Sequence, residues 1–203
     1  MNKAARFFTI TACLLLISAY GFSYGAGNTF FFNAAGYFPT ESQIKTGYGS
    51  GLGTTLMLTQ NVVFSLEFKY ARFSVDPEEG KFLAGNLTLT PIIANFQYYF
   101  NPNASFSPYV FGGVSFVFAR FNAEARQIGE EALITKQDPK NGLGFQGGLG
   151  ATFSVSERVA IFFEGYYLYR QAVVETSFLT GAQGQFDTNL SHLGVLVGLK
   201  YYY

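Results

Sequence analysis

The chain has 203 residues, of which 13% are charged, about half the share carried by a typical soluble enzyme. Hydrophobic residues make up 49% and aromatic residues alone 19%, and the length suits one domain. The formal charge is zero, which removes the basic footprint expected of a nucleic-acid binder.

At the N-terminus Lys3 and Arg6 precede an apolar run from Phe7 to Ala19, too short to span a bilayer as a helix. Ser23-Tyr24-Gly25 offers small residues where a signal peptidase reads, so residues 1–25 are expected to be a cleaved export signal. The mature domain is then 26–203. Cys13, the single cysteine, leaves with the signal, so neither a disulfide framework nor thiol chemistry is expected.

From Asn28 onward the pattern has a period of two, the signature of strands, whose successive side chains point to opposite faces. Asn28 to Phe38 sets Phe30, Phe32, Ala34 and Phe38 against Thr29 and Asn33, and Pro39 to Thr46 interrupts it. Gly47 to Leu58 sets Leu52, Thr54, Leu56 and Leu58 against a row of glycines and Thr55, and turns at Thr59-Gln60-Asn61. Val62 to Phe73 has Val62, Phe64, Leu66, Phe68 and Tyr70 opposite Ser65, Glu67 and Lys69. A charged loop, Asp76 to Gly80, follows. Asn86 to Phe100 sets Ile92, Ala94, Phe96, Tyr98 and Phe100 against Asn95 and Gln97, and Asn101-Pro102-Asn103 turns it.

Pro108 to Phe121 carries Val110, Val114, Phe116 and Phe118 on its apolar face, and Asn122 to Lys140 reads as the longest loop. Gly142 to Val155 alternates Leu143, Phe145, Leu149, Ala151 and Phe153 with glycines, Gln146 and Thr152. Its Gly142-Leu-Gly144-Phe-Gln-Gly147 run matches a dinucleotide fingerprint in letters, but continues as strand where that motif needs a helix. Val159 to Gln171 has Ile161, Phe163, Tyr167 and Tyr169 opposite Glu164 and Arg170. After a polar loop, Asn189 to Tyr203 sets Leu193, Val195, Val197, Leu199, Tyr201 and Tyr203 against His192, glycines and Lys200. Short turns thus alternate with long loops.

Alternation alone does not say which row is wet. A soluble sheet would turn the apolar rows inward and leave rows of glycine in water, where glycine costs backbone entropy and packs nothing. Inside a narrow barrel the same glycines make room for Tyr, Glu, Arg and Lys from other strands. The expected fold is therefore all-β: a closed antiparallel eight-stranded transmembrane β-barrel, an up-and-down meander with its apolar rows on lipid. Short turns would be periplasmic and long loops extracellular.

Several stretches resemble a known family: Leu89-Thr90-Pro91-Ile92-Ile93, Gln97 to Pro102, Pro108 to Val114, and the closing Val197 to Tyr203. Nearly the whole mature chain is similar to small eight-stranded outer-membrane barrels of the OmpA/OmpX type. The resemblance implies a monomer in the outer membrane of a Gram-negative-type bacterium. It also implies contacts with outer-membrane lipid and lipopolysaccharide, periplasmic chaperones and the barrel-assembly machinery. Tyr201 and Tyr203 would form the assembly signal, with Tyr203 where family members usually end in Phe. The peptidoglycan-binding domain of full OmpA is not in this chain.

The inward charges Glu67, Lys69, Glu164, Arg170 and Lys200 are expected to pair, since unpaired charge is costly to bury, and to plug the lumen. Arg72 and Arg120 sit just beyond the apolar rows of two rising strands, where they are candidates to bind lipopolysaccharide phosphates. His192 is the only histidine, and Ser191 beside it should point to the opposite face of a strand, so no hydrolytic pair is expected. No metal site, cofactor or catalytic residue is expected. The function expected is structural or interactive, with acidic extracellular loops offered for contacts; the alternatives are an OmpW-like channel for small hydrophobic molecules and, third, a lipid-modifying enzyme.

Overall fold

The computed structural model describes residues 28–76, 84–123, 134–178 and 183–203. The expected signal segment, 1–25, lies outside the described residues, as does the Asp76 to Gly80 loop beyond Asp76. The strands are β1 (Thr29–Pro39), β2 (Gly47–Met57), β3 (Val62–Val75), β4 (Gly85–Tyr99), β5 (Phe106–Ala123), β6 (Ile134–Pro139), β7 (Gly142–Ser154), β8 (Val159–Tyr169), β9 (Gln171–Phe178), β10 (Gln183–Asn189) and β11 (His192–Tyr202).

Eight of them close into a barrel in the order β1-β11-β8-β7-β5-β4-β3-β2, every pair antiparallel. Each barrel strand neighbours the next barrel strand along the chain, which makes the expected meander. The seam between first and last strands is in register from Thr29 opposite Tyr202 to Pro39 opposite His192. Closure leaves no free edge in the wall, so backbone groups along the strands can pair with one another without water.

The two rows of each strand fall as alternation demands. Phe32 is 57% exposed and Leu149 67%, while Asn33 and Ile93 are fully buried. An exterior of Phe, Leu, Val and Tyr would be a severe liability in water and is the correct surface for lipid. The glycine rows point inward beside large side chains. A Cβ at Gly198 would meet the Phe162 ring, and one at Gly53 the Phe31 ring, so these glycines are the sockets for aromatic rings of adjacent strands.

Two stretches differ from expectation. The long loop after Phe121 and the polar stretch before the last strand contain β6, β9 and β10, which form a second sheet in the order β10-β9-β6. The alternation is present in β9, with Ala172, Val174 and Thr176 buried. Its outward row, Gln171, Val173 and Glu175, faces water and lacks the apolar row that marks a lipid-facing strand. These strands continue β7, β8 and β11 upward across a common break at Lys140–Asn141, Arg170 and Leu190–Ser191. Ala172, Val174 and Leu190 join the same buried cluster as Tyr37, Phe73 and Leu89 of the barrel, so the second sheet caps the long-loop mouth.

Candidate functional site

The interior is layered. At the short-turn end, Thr29 and Thr55 share a hydrogen bond of 2.7 Å across β1 and β2. Lys200 Nζ donates to the Tyr99 hydroxyl at 2.8 Å and to Thr152 Oγ1 at 3.4 Å, and lies over the rings of Tyr109 and Phe162 at 4.9 and 4.7 Å. The Tyr109 hydroxyl donates to Glu164 Oε1 at 2.6 Å. Beside these, Lys69 Nζ is 3.2 Å from Glu67 Oε2, and Asn33 Nδ2 donates to Glu67 Oε1 at 2.6 Å. Gln146 Nε2 donates to Asn95 Oδ1 at 2.9 Å. Together these side chains floor the barrel from wall to wall.

Of the inward charges, Glu67 and Lys69 form a direct ion pair, while Glu164 and Lys200 are held by tyrosine hydroxyls and ring faces. The barrel's register, which sequence alternation does not reveal, decides these partners. Arg170 lies apart, at the break below the cap. Its Nη1 donates to the Val117 carbonyl at 2.9 Å, its Nη2 to the Lys140 carbonyl at 2.5 Å, and its backbone N–H to Ser191 Oγ at 2.8 Å. One guanidinium thus ties β5, the β6–β7 break and the β8–β9 break together.

Ser191 lies in the break and not in a strand, so the opposite-faces rule does not govern it, and both Ser191 and His192 are buried. Ser191 Oγ takes the Arg170 N–H, and His192 Nδ1 sits 3.2 Å from the Leu190 carbonyl with its ring edge-on to Tyr37. Neither side chain bonds to the other.

Above the polar floor the interior turns apolar. Tyr37, Phe73, Leu87, Leu89, Val117 and Leu168 fill it beneath the cap. A cavity of about 10 Å³ remains at the boundary, lined by Lys69, Ala71, Leu89, Pro91, Ile93 and Tyr166 among others. A second, of about 60 Å³, opens at the short-turn end beside Thr29, Tyr99 and Lys200. The wall next to the first cavity is imperfect. The β3–β4 ladder pairs Phe68 with Ile92 and Ala71 with Leu89, but lapses at Lys69, Tyr70, Thr90 and Pro91. Pro91 has no N–H to give the ladder, and proline is normally kept out of central strands for that reason.

Outside, Arg72 and Arg120 are both exposed at the long-loop end. Tyr201 faces outward, and Tyr203 stacks on Phe30 of the first strand with ring centroids 4.7 Å apart. The chain end thus packs across the closing seam. Among the described residues no cluster of His, Cys, Asp and Glu is grouped as a metal would require.

Removing the Arg170 tie should loosen the cap alone. In Arg170→Met the apolar stem remains while two carbonyls lose their donor. Amides of β9 and β10 should then exchange at least about tenfold faster, with those of β3 and β4 unchanged, because local openings follow the bonds that close them. Equal acceleration throughout the barrel would show that Arg170 supports the wall and not the cap.

Comparison with known proteins gives the same architecture. OprG of Pseudomonas aeruginosa superposes with a TM-score of 0.71 at 15% identity, covering 89% of this chain and 97% of that one. Neisserial surface protein A superposes with a TM-score of 0.59 at 16% identity, over 89% and 100%. The solution structure of E. coli outer membrane protein W gives 0.52 at 18% identity, again over 89% and 100%. At these identities the likeness establishes the fold. No curated protein sequence matches the chain. The OmpA/OmpX resemblance therefore holds for the eight-stranded barrel, and the family itself is a different one. A family model spanning residues 30–201 matches, and the chain belongs to the OmpW family, outer-membrane β-barrels of Gram-negative bacteria.

Proposed function

We propose that this barrel gives small apolar molecules a sideways route through the outer leaflet. They enter under the cap, cross the apolar upper interior and leave into lipid between β3 and β4 at Pro91. The observation that carries this reading is the coincidence of three features at one level: apolar filling above, a polar floor below, and a lapse in the wall ladder between them. A straight path to the short-turn end would have to break the Glu67–Lys69 pair and the Tyr109–Glu164 bond in a low-dielectric interior, which is costly. A path through the lapse breaks no ladder bond between the unpaired residues. Membership in the OmpW family is consistent with a hydrophobic cargo, and the apolar upper interior supplies the matching chemistry.

A second reading keeps the barrel static, a structural element presenting its cap for contacts. The close filling of the interior favours it, since eight strands leave a bore that side chains can occupy. One experiment separates the two. In cells with an intact lipopolysaccharide leaflet, entry of the apolar dye N-phenyl-1-naphthylamine should be several-fold faster with the protein than with an empty vector. Pro91→Val, which can donate to the ladder, should return the rate towards the vector level while the folded protein remains in the membrane. If expression leaves the dye's entry rate unchanged, the conduit is wrong and the static reading stands.

A further inference from the structure

The outer wall carries an asymmetry of charge that neither the conduit nor the floor explains. Among the described residues of the barrel strands the acids are Glu67 and Glu164, both buried inside, and the lysines Lys69 and Lys200 are buried too. The remaining cations of those strands, Arg72 and Arg120, both point outward. They are far apart in sequence, yet the register places Arg72 opposite Thr88 and Thr88 opposite Arg120. The row across β3, β4 and β5 reads Arg, Thr, Arg. One step further up, Ser74, Asn86 and Asn122 form a second outward row. Arg72 Nε donates to Asn86 Oδ1 at 3.4 Å, which turns that guanidinium towards β4 and its partner.

The height of this row matters. At about 3.4 Å per residue and a tilt of about 40°, the strand from Val62 to Arg72 climbs about 26 Å, the thickness of a barrel's apolar band of about 25 Å. Below Arg72 on its own strand come Tyr70 and Phe68, and below Thr88 and Arg120 the pairs Thr90–Phe118 and Ile92–Phe116, all outward. The arginines therefore sit at the headgroup level of the outer leaflet, immediately above the last apolar rows. Across two strand spacings the arginine backbones are about 9.5 Å apart. At that spacing two such long side chains can both reach a point above Thr88.

We propose that Arg72, Thr88 and Arg120, with Asn86 and Asn122 above them, form a binding site on the outer wall for the phosphate of a phosphorylated outer-leaflet lipid. Two guanidiniums offer planar forks that match phosphate oxygens, and the Thr and Asn side chains add neutral donors. None of the ion pairs among the described residues engages either arginine, and no carboxylate shares the outward row. Charge on a barrel's lipid face is tolerated only near the interfaces, so a pair of cations at this level is placed where an anionic headgroup can meet them.

The test uses the full mature barrel refolded in phosphatidylcholine vesicles, with folding checked by the mobility difference between unheated and boiled samples on a gel. Retention of diphosphorylated lipid A is compared with that of the enzymatically dephosphorylated form. The wild type should retain the phosphorylated form at least about tenfold better. Arg72→Gln/Arg120→Gln should reduce that preference to near unity, while Arg158→Gln, in an exposed turn at the opposite end, should keep it. Millimolar orthophosphate should not displace the lipid, because the site is completed by the apolar rows beneath it. An unchanged preference in the double variant overturns the site. Displacement by orthophosphate at that level overturns the lipid assignment in favour of a free anion.

Discussion

Lys69→Met should lower the unfolding free energy by about 3–5 kcal/mol, and adding Glu67→Gln should recover most of it. Lys69 is 1% exposed and Glu67 4%, so neither can be rescued by water. Removing the lysine strands a carboxylate at mid-barrel with a single amide donor, Asn33, on one of its oxygens. With both partners neutralised, the glutamine amide can still bond Asn33 and the methionine fills the space of the lysine's stem. Urea unfolding in lipid vesicles, followed by tyrosine fluorescence, gives the comparison. Equal losses in the single and double variants would place the cost in packing, since Lys69 also lies 4.2 Å from the centre of the Tyr166 ring.

The glycine sockets should be nearly as unforgiving. A Cβ at Gly49 would meet the Tyr70 carbonyl, Tyr37 Cε2 at 2.9 Å and the Ala71 backbone at 3.0 Å. Two of these are backbone atoms, and Tyr37 is itself held against Phe73 and His192. Gly49→Ala should therefore cost about 1–3 kcal/mol, the usual range for overpacking. Gly36, on the adjacent strand but with its added Cβ in open space, is the control. Gly36→Ala should change stability by less than about 0.5 kcal/mol, as for an exposed position. Similar losses at both sites would mean that glycine is needed for backbone freedom and not for interior room.

The barrel was legible because lipid is a demanding solvent. Every spanning strand must keep an unbroken apolar row on one face, and that row is visible in Phe30 to Phe38 or Leu193 to Tyr203 without any knowledge of neighbours. The cap was not legible because its strands lack the apolar row that contact with lipid imposes. β9 mixes Val173 with Glu175 on its outer face, which reads as loop when an apolar row is the criterion. The direction of Glu67, Lys69, Glu164 and Lys200 followed from alternation, but their partners did not. Partner choice depends on how far each strand is staggered against the next, and that stagger leaves no mark in the local pattern. The same reason hid the alignment of Arg72 with Arg120, which exists only through Thr88 of the strand between them. Ser191 fails differently: the period-two rule assumes a continuous strand, and the strand is interrupted there.

The coincident breaks at Lys140–Asn141, Arg170 and Leu190–Ser191 have a consequence for how the molecule can diversify. Insertions or substitutions above that line fall in β6, β9, β10 and the segments that join them. The ladders of the cylinder beneath need not change with them, because β7, β8 and β11 each stop at the line and belong to a different sheet from the strands above it; Arg170 and the shared apolar cluster are what join the two. The outline of that end is therefore under fewer physical constraints than the portion that must suit a hydrocarbon environment.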